Sequence, residues 1–235
     1  MDLNILEETE LRANIVEWYD IDQNAEVLEI NAICPPITKC LQKKSRKVRT
    51  LKNIYMLDEE NETENQYDVI AVFNEVALLR DPLDDTQWAS KFVRLIREHM
   101  AENGKLIIAC NNRFGLQYWS GCKTNNKMEF FSTLIHDEKN NTDALSMKEI
   151  QDLACQIGGK VTEVYYPYPD YRICDRVYSD DYLPKTGELN NNRRNYFGER
   201  MILFDEDMVF DEVVENNLFS VFSNSFFVVI EKKGL

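Results

Sequence analysis

Positive charge is scarce in this chain: 27 Lys and Arg stand against 41 Asp and Glu in 235 residues, a formal net charge of −14. Nonspecific affinity for nucleic acid comes largely from cations that displace counterions from phosphates, so this balance argues against a protein that tracks DNA or RNA. Histidine is rarer still, with only His99 and His136, and the six cysteines Cys34, Cys40, Cys110, Cys122, Cys155 and Cys174 are scattered without a CxxC pair. Neither a metal site nor a disulfide framework is signalled, and the cysteines read as reduced thiols. No apolar run approaches the roughly 18 residues that suggest a membrane span, and the first residues lack the basic-then-apolar order of a secretory signal. The expected location is the cytoplasm. One basic run, Lys43, Lys44, Arg46, Lys47, Arg49 and Lys52, opposes the overall sign. It reads either as a solvated face or as a contact for a phosphate or an anionic partner.

What is present suffices for a core. Apolar residues make up 44% of the chain and charged residues 29%, as in an ordinary globular protein, and the expected organisation is one domain over residues 1–235. Residues 5–19 carry an apolar stripe at mostly helical spacing. Val27-Leu28-Glu29-Ile30 reads as a buried strand, followed by irregular chain to Pro36 and helical spacing from Ile37 to Leu41. Lys47–Leu51 and Asn53–Leu57 each read as a short strand, and Asp58–Gln66 as an acidic surface loop. Asp68–Phe73 is the clearest strand. A helix over about 86–101 follows, with Trp88, Phe92, Leu95 and Ile96 on one side and Asn103-Gly104 as its stop, then a strand at Lys105–Cys110. Ser146 with Glu149 forms a capping-box pattern ahead of a helix closed by Gly158-Gly159. Lys160–Tyr166 and Phe226–Glu231 read as further strands, separated by a Tyr, Pro, Asp and Asn-rich excursion over about 167–195. Strands alternating with helices predict an α/β fold with a mostly parallel sheet of about six or seven strands and helices on both faces.

Several strings carry a resemblance. Val27-Leu28-Glu29-Ile30, the segment from Asn112 to Trp119 (NRFGLQYW), the segment from Tyr165 to Tyr171 (YYPYPDY), the segment from Tyr178 to Pro184 and Asn224-Ser225-Phe226 together resemble bacterial class I methyltransferase domains found with cell-surface polysaccharide synthesis proteins. The resemblance implies a Rossmann-like fold, S-adenosylmethionine as cofactor and a glycan, its precursor or its lipid-linked form as methyl acceptor. In such folds the loop after the first strand reads as an acidic residue followed by a glycine-rich turn that holds the cofactor. Here Glu29 is followed by Asn31, Ile33 and Pro35 where that pattern has glycines. Branched Ile adopts positive φ badly and Pro removes an N–H donor. Thr50-Leu51-Lys52 stands where an acidic residue would bind the ribose hydroxyls, and a carboxylate accepting two hydroxyl bonds is not replaced by Leu51 or Lys52. The resemblance therefore implies either a methyltransferase with weak or lost cofactor binding or a non-catalytic, methyltransferase-like binding or scaffolding domain in a polysaccharide assembly system. A nucleotide-sugar binding module is a weaker alternative, since no glycine-rich phosphate loop is present.

Candidate site residues follow from position. Glu29 and Asn31 at the first strand, and Asn74 after the Asp68–Phe73 strand, lie where open α/β sheets place cofactor contacts. Glu29 also reads simply as a polar strand end. Asn112, Arg113, Tyr118 and Trp119 combine a fixed cation, an amide and aromatic faces, which suits a glycan or phosphosugar; the competing account has Tyr118 and Trp119 packing a lid and Arg113 pairing with an acidic neighbour. Tyr166, Tyr168 and Asp170 read as a recognition surface for a glycan or a polysaccharide-synthesis protein, or as a stiff structural loop. Asp170 and Asp181 are candidate general bases toward a hydroxyl acceptor. His99 and His136 read as surface residues.

Overall fold

A computed structural model describes residues 8–54, 56–59, 66–73, 88–123, 130–135, 144–192 and 200–232. Among the described residues eight strands form one sheet: β1 (Glu26–Ile30), β2 (Lys47–Leu51), β3 (Tyr67–Val72), β4 (Met100–Asn112), β5 (Ala144–Leu145), β6 (Gly159–Tyr168), β7 (Arg176–Ser179) and β8 (Ser225–Lys232), in the order β2-β1-β3-β4-β8-β6-β7 with β5 beside β4. The pairs of β1, β2, β3, β4 and β5 are parallel. The last strand, β8, runs antiparallel between β4 and β6, and β7 runs antiparallel to β6. Two reversals restore direction, so β6 points the same way as β4. The C-terminal ends of β1, β3, β4 and β6 and the start of β8 therefore share one edge of the sheet.

Strand alternation divides the core into two layers, because successive side chains point to opposite faces. Leu28, Ile70, Ile108, Phe226 and Val228 face one cluster with Phe92 and Ile96 of α4 (Trp88–His99), Ile150 and Ala154 of α6 (Met147–Ile157), and Phe210 of α7 (Glu206–Glu215). Val27, Ala71, Ile107, Phe227 and Val229 face the other, with Ile15 and Val16 of α1 (Asn14–Glu17) and Ile37 and Leu41 of α2 (Pro35–Lys44). Helices cover both faces. Shorter helices are α3 (Met56–Glu59), α5 (Leu116–Trp119) and α8 (Phe219–Phe222). The Ser146 capping box is formed in full at α6, and Gly158 ends that helix at φ 83°.

Five local readings of the sequence are corrected. Among the described residues of 53–57 there is no strand, and Asp58 and Glu59 belong to α3 rather than to a loop. The helix near residue 100 ends at His99, and Asn103-Gly104 lies inside β4, where Asn103 at φ 64° accompanies a register shift against β3. An Asn-Gly pair serves a strand irregularity as well as a helix stop. The segment over 167–195 is not all excursion, since β6 runs to Tyr168 and β7 occupies Arg176–Ser179. Pro167 is tolerated there because the pairing of β6 with β8 has ended at Tyr165 and only β7 remains alongside. His99 is buried. His136 lies outside the described residues, as does Asn74.

Candidate functional site

The shared edge begins at the end of β1. Glu29 is 1% exposed; its Oε2 accepts from the Thr38 hydroxyl at 2.6 Å, and its Oε1 is buried with no hydrogen-bond partner. Burial pushes this carboxyl up to about 7, the Thr38 hydrogen bond opposing the rise. A buried carboxylate with one oxygen unsatisfied favours its neutral form for that reason. Asn31 takes φ 57°, the left-handed backbone that Asn tolerates. Ala32 then donates its N–H to the Leu51 carbonyl at 3.1 Å and Ile33 donates to the Asn31 carbonyl at 2.9 Å. Pro35 and Pro36 occupy the first turn of α2, where a missing N–H costs the helix nothing but also offers an anion nothing. At the end of β2, Leu51 is buried.

A raised pKa has a definite sign in stability. A carboxyl raised from 4.5 to about 7 on folding makes the folded chain bind protons more readily than the unfolded one, so stability falls as pH rises through that window. Glu29→Gln is expected to stabilise the domain by up to about 3 kcal/mol above neutrality and by little near pH 4. Urea unfolding at several pH values checks this; a variant whose stability tracks the parent at every pH refutes it.

The second arc follows β4. Asn112 is spent on the backbone: its Nδ2 donates to the carbonyls of Val221 (2.8 Å) and Ser223 (2.7 Å), and its Oδ1 accepts from the Phe114 N–H at 3.0 Å. Arg113 donates to Glu149 Oε1 at 2.5 Å, while Oε2 of the same carboxylate accepts from the Ser146 N–H and hydroxyl, each at 2.7 Å. Trp119 is 43% exposed and donates its indole N–H to the Phe114 carbonyl at 3.2 Å. Tyr118 is buried.

The third arc ends β6. The Tyr166 hydroxyl donates to Asp180 at 2.6 Å, and the Tyr168 hydroxyl accepts from the Asn191 N–H at 2.6 Å. Burial is the first cause that pushes both hydroxyls upward, with Asp180 adding to it at Tyr166. Asp170 is buried and gives both oxygens to Arg172, at 3.0 and 3.1 Å. Both oxygens of this candidate base are thus engaged with a buried cation rather than open to the proton of an acceptor hydroxyl. Asp181 is exposed.

Two residues that the sequence reading did not place in the site join these arcs. Asn224 accepts from the Gln117 N–H at 3.0 Å and donates to the Pro169 carbonyl at 3.3 Å, while the Ser225 hydroxyl accepts from the Tyr171 N–H at 3.0 Å. The sequence signal for them was their place in the Asn224-Ser225-Phe226 string that carries the resemblance, a polar pair set immediately before an apolar strand. They bring the 112–119 and 165–171 strings to one edge, but the seven candidate residues divide there. Asn112, Arg113 and Tyr166 line one open cleft of about 790 Å³, with Glu149, Asp180 and Phe226. Tyr118 and Asp170 instead lie near the buried Arg172 guanidinium. Tyr168 packs 6.4 Å from Phe210 between ring centroids.

No family model and no curated protein sequence matches the chain. Among solved structures it is similar to a SAM-dependent methyltransferase from Archaeoglobus fulgidus, at 12% identity and TM-score 0.48 over 97% of this chain and 94% of that one. It is also similar to a TehB-like SAM-dependent methyltransferase from Corynebacterium glutamicum, at 8% identity and TM-score 0.41 over 95% and 88% of the two chains. The fold is Rossmann-like α/β, with a sheet that is parallel over β1 to β5 and helices on both faces. What those relatives act on belongs to them. Among the described residues no helix is long and apolar enough to cross a membrane, and no group of three or more His, Cys, Asp or Glu is placed to hold a metal ion.

Proposed function

We propose that this chain is a methyltransferase-type domain with weak or lost S-adenosylmethionine binding, working in the cytoplasm as a binding or scaffolding partner in cell-surface polysaccharide assembly. The observation that carries the reading is the end of β1. A cofactor there needs an outward carboxylate and free backbone donors, and Glu29 is instead buried against Thr38 while the N–H groups of Ala32 and Ile33 are bonded within the protein. Pro35 and Pro36 contribute no N–H, and Leu51 offers no acceptor for a ribose. These residues do not fit the cofactor, and no transfer step is derived through it. The cleft lined by Arg113, Glu149 and Tyr166 is the place for a glycan, a phosphosugar or a segment of a polysaccharide-synthesis protein, since paired charges around an apolar floor orient a ligand without requiring it to be charged.

Isothermal titration with S-adenosylmethionine and S-adenosylhomocysteine tests the reading. The expected result is no saturable heat for either. Micromolar affinity for one of them overturns the proposal and restores the alternative, an active methyltransferase acting on a glycan.

A further inference from the structure

Adjacent residues of β6 open onto opposite sides of the sheet: Tyr166 lines the cleft described above, and Tyr165 lines another of about 500 Å³, together with Asn14, Glu17, Trp18, Asp175 and Ser179. Trp18 is 39% exposed although it is a large aromatic residue. Its ring centroid lies 4.7 Å from that of Tyr165 at 66° between planes, so the two rings form a corner. Behind them Phe227 sits 5.1 Å from Trp18 and 6.0 Å from Tyr165 and backs the corner with core.

The surroundings of this corner are acidic. Glu17 and Asp175 line the cleft, and Arg176 is the one cation among its described lining residues. Glu163 accepts from the hydroxyls of both Tyr165 (2.7 Å) and Tyr19 (3.1 Å). Burial, Glu163 and then Asp181 push the Tyr165 hydroxyl up to about 12, the last two by their negative charge. Of the cations nearby, Lys105 is paired with carboxylates, 3.6 Å from Glu163 and 3.5 Å from Glu231, while Lys44 and Arg176 keep their charge and are held by the carbonyls of Tyr19 (3.0 Å) and Glu188 (2.7 Å), leaving Glu17 and Asp175 against Arg176 at the rim. Ring faces carry negative electrostatic potential, and carboxylates at the rim add to it.

We propose that the cleft formed by Trp18 and Tyr165, rimmed by Glu17 and Asp175, is a binding site for an organic ammonium group. Small quaternary ammonium compounds of the choline type and methylated lysine side chains present the same chemistry. The site lies across the sheet from the Arg113 cleft and is independent of the function proposed for it.

Choline chloride and a trimethyllysine peptide, titrated separately into the full chain by calorimetry, test the assignment and distinguish the two sources. The probe with which choline is compared is its neutral isostere, with carbon in place of the ammonium nitrogen. At least one ammonium probe is expected to bind with Kd on the order of a millimolar, and the isostere about tenfold more weakly or worse. Trp18→Ala should abolish the binding and Trp18→Phe should retain it within a few fold. Because Trp18 also touches core rings, the exposed double variant Glu17→Gln with Asp175→Asn is the second measurement: it should bind several-fold more weakly with an unchanged melting curve. Absence of binding by both ammonium probes, equal affinity for the isostere, or full affinity in either the Trp18→Ala or the double variant overturns the proposal.

Discussion

Arg172→Ala is expected to destabilise the domain by about 3–5 kcal/mol, because it strands the Asp170 carboxylate in the interior with its cation gone. Both residues are buried, the guanidinium meets both carboxylate oxygens, and the Arg172 N–H also donates to Oδ1 at 2.7 Å. Removing one partner leaves the desolvation cost of the other uncompensated. Replacing both, as Asp170→Leu with Arg172→Met, should recover much of the loss, since a well-packed apolar pair avoids that cost altogether. Urea unfolding followed by circular dichroism gives the three free energies of the cycle. If the single variant falls within about 1 kcal/mol of the parent, the pair is not the strut described here and Asp170 returns as a candidate base.

Phe227→Ala should cost as much, about 3–5 kcal/mol, for a different reason. Phe227 is fully buried in β8, with Trp18, Tyr19, Phe73 and Tyr165 all within 6.0 Å between ring centroids. Truncation leaves a cavity among rings whose own positions are fixed by a sheet and by Glu163, so the site collapses poorly and the full cavity cost remains. Phe227→Leu, which keeps most of the volume, should lose much less. Equal losses for Ala and Leu would show that ring geometry rather than filled volume matters at this position.

The central strands were legible because burial on both faces makes them continuous apolar runs: Val27–Ile30, Asp68–Phe73, Lys105–Cys110 and Phe226–Glu231 all lie in or against strands. The alternation with helices also foretold that β1, β3 and β4 run parallel, but not that the last strand is reversed. Nothing in Phe226–Glu231 distinguishes a reversed strand from a parallel one, because a strand's side-chain period is the same either way. Asn103-Gly104 misled because left-handed backbone ends helices and distorts strands alike, and Pro167 misled because its missing N–H matters only where a neighbouring strand needs it. The site shows the same limit. Sequence placed Asp170 among candidate bases, whereas its ion pair with a residue two positions away depends on a backbone turn that composition does not reveal. Arg113 kept two readings open, and its Glu149 partner became identifiable only when α6 docked beside β4. Glu29 was identified by position, but its inward orientation toward Thr38 follows from how α2 packs over β1.

The position of β8 has a consequence for how the protein is made. It is the latest described strand to leave the ribosome, yet it completes the ladder between β4 and β6, pairing with both. From the synthesis of β6 until that of β8, β4 and β6 each present an edge that no other strand of the described sheet pairs. Such edges recruit other chains, and long-range pairings that must wait for distant sequence form slowly. Production of this protein is accordingly most vulnerable in the interval before residues 225–232 clear the exit tunnel, and nascent chains stalled in that interval are the species that holding chaperones would have to protect.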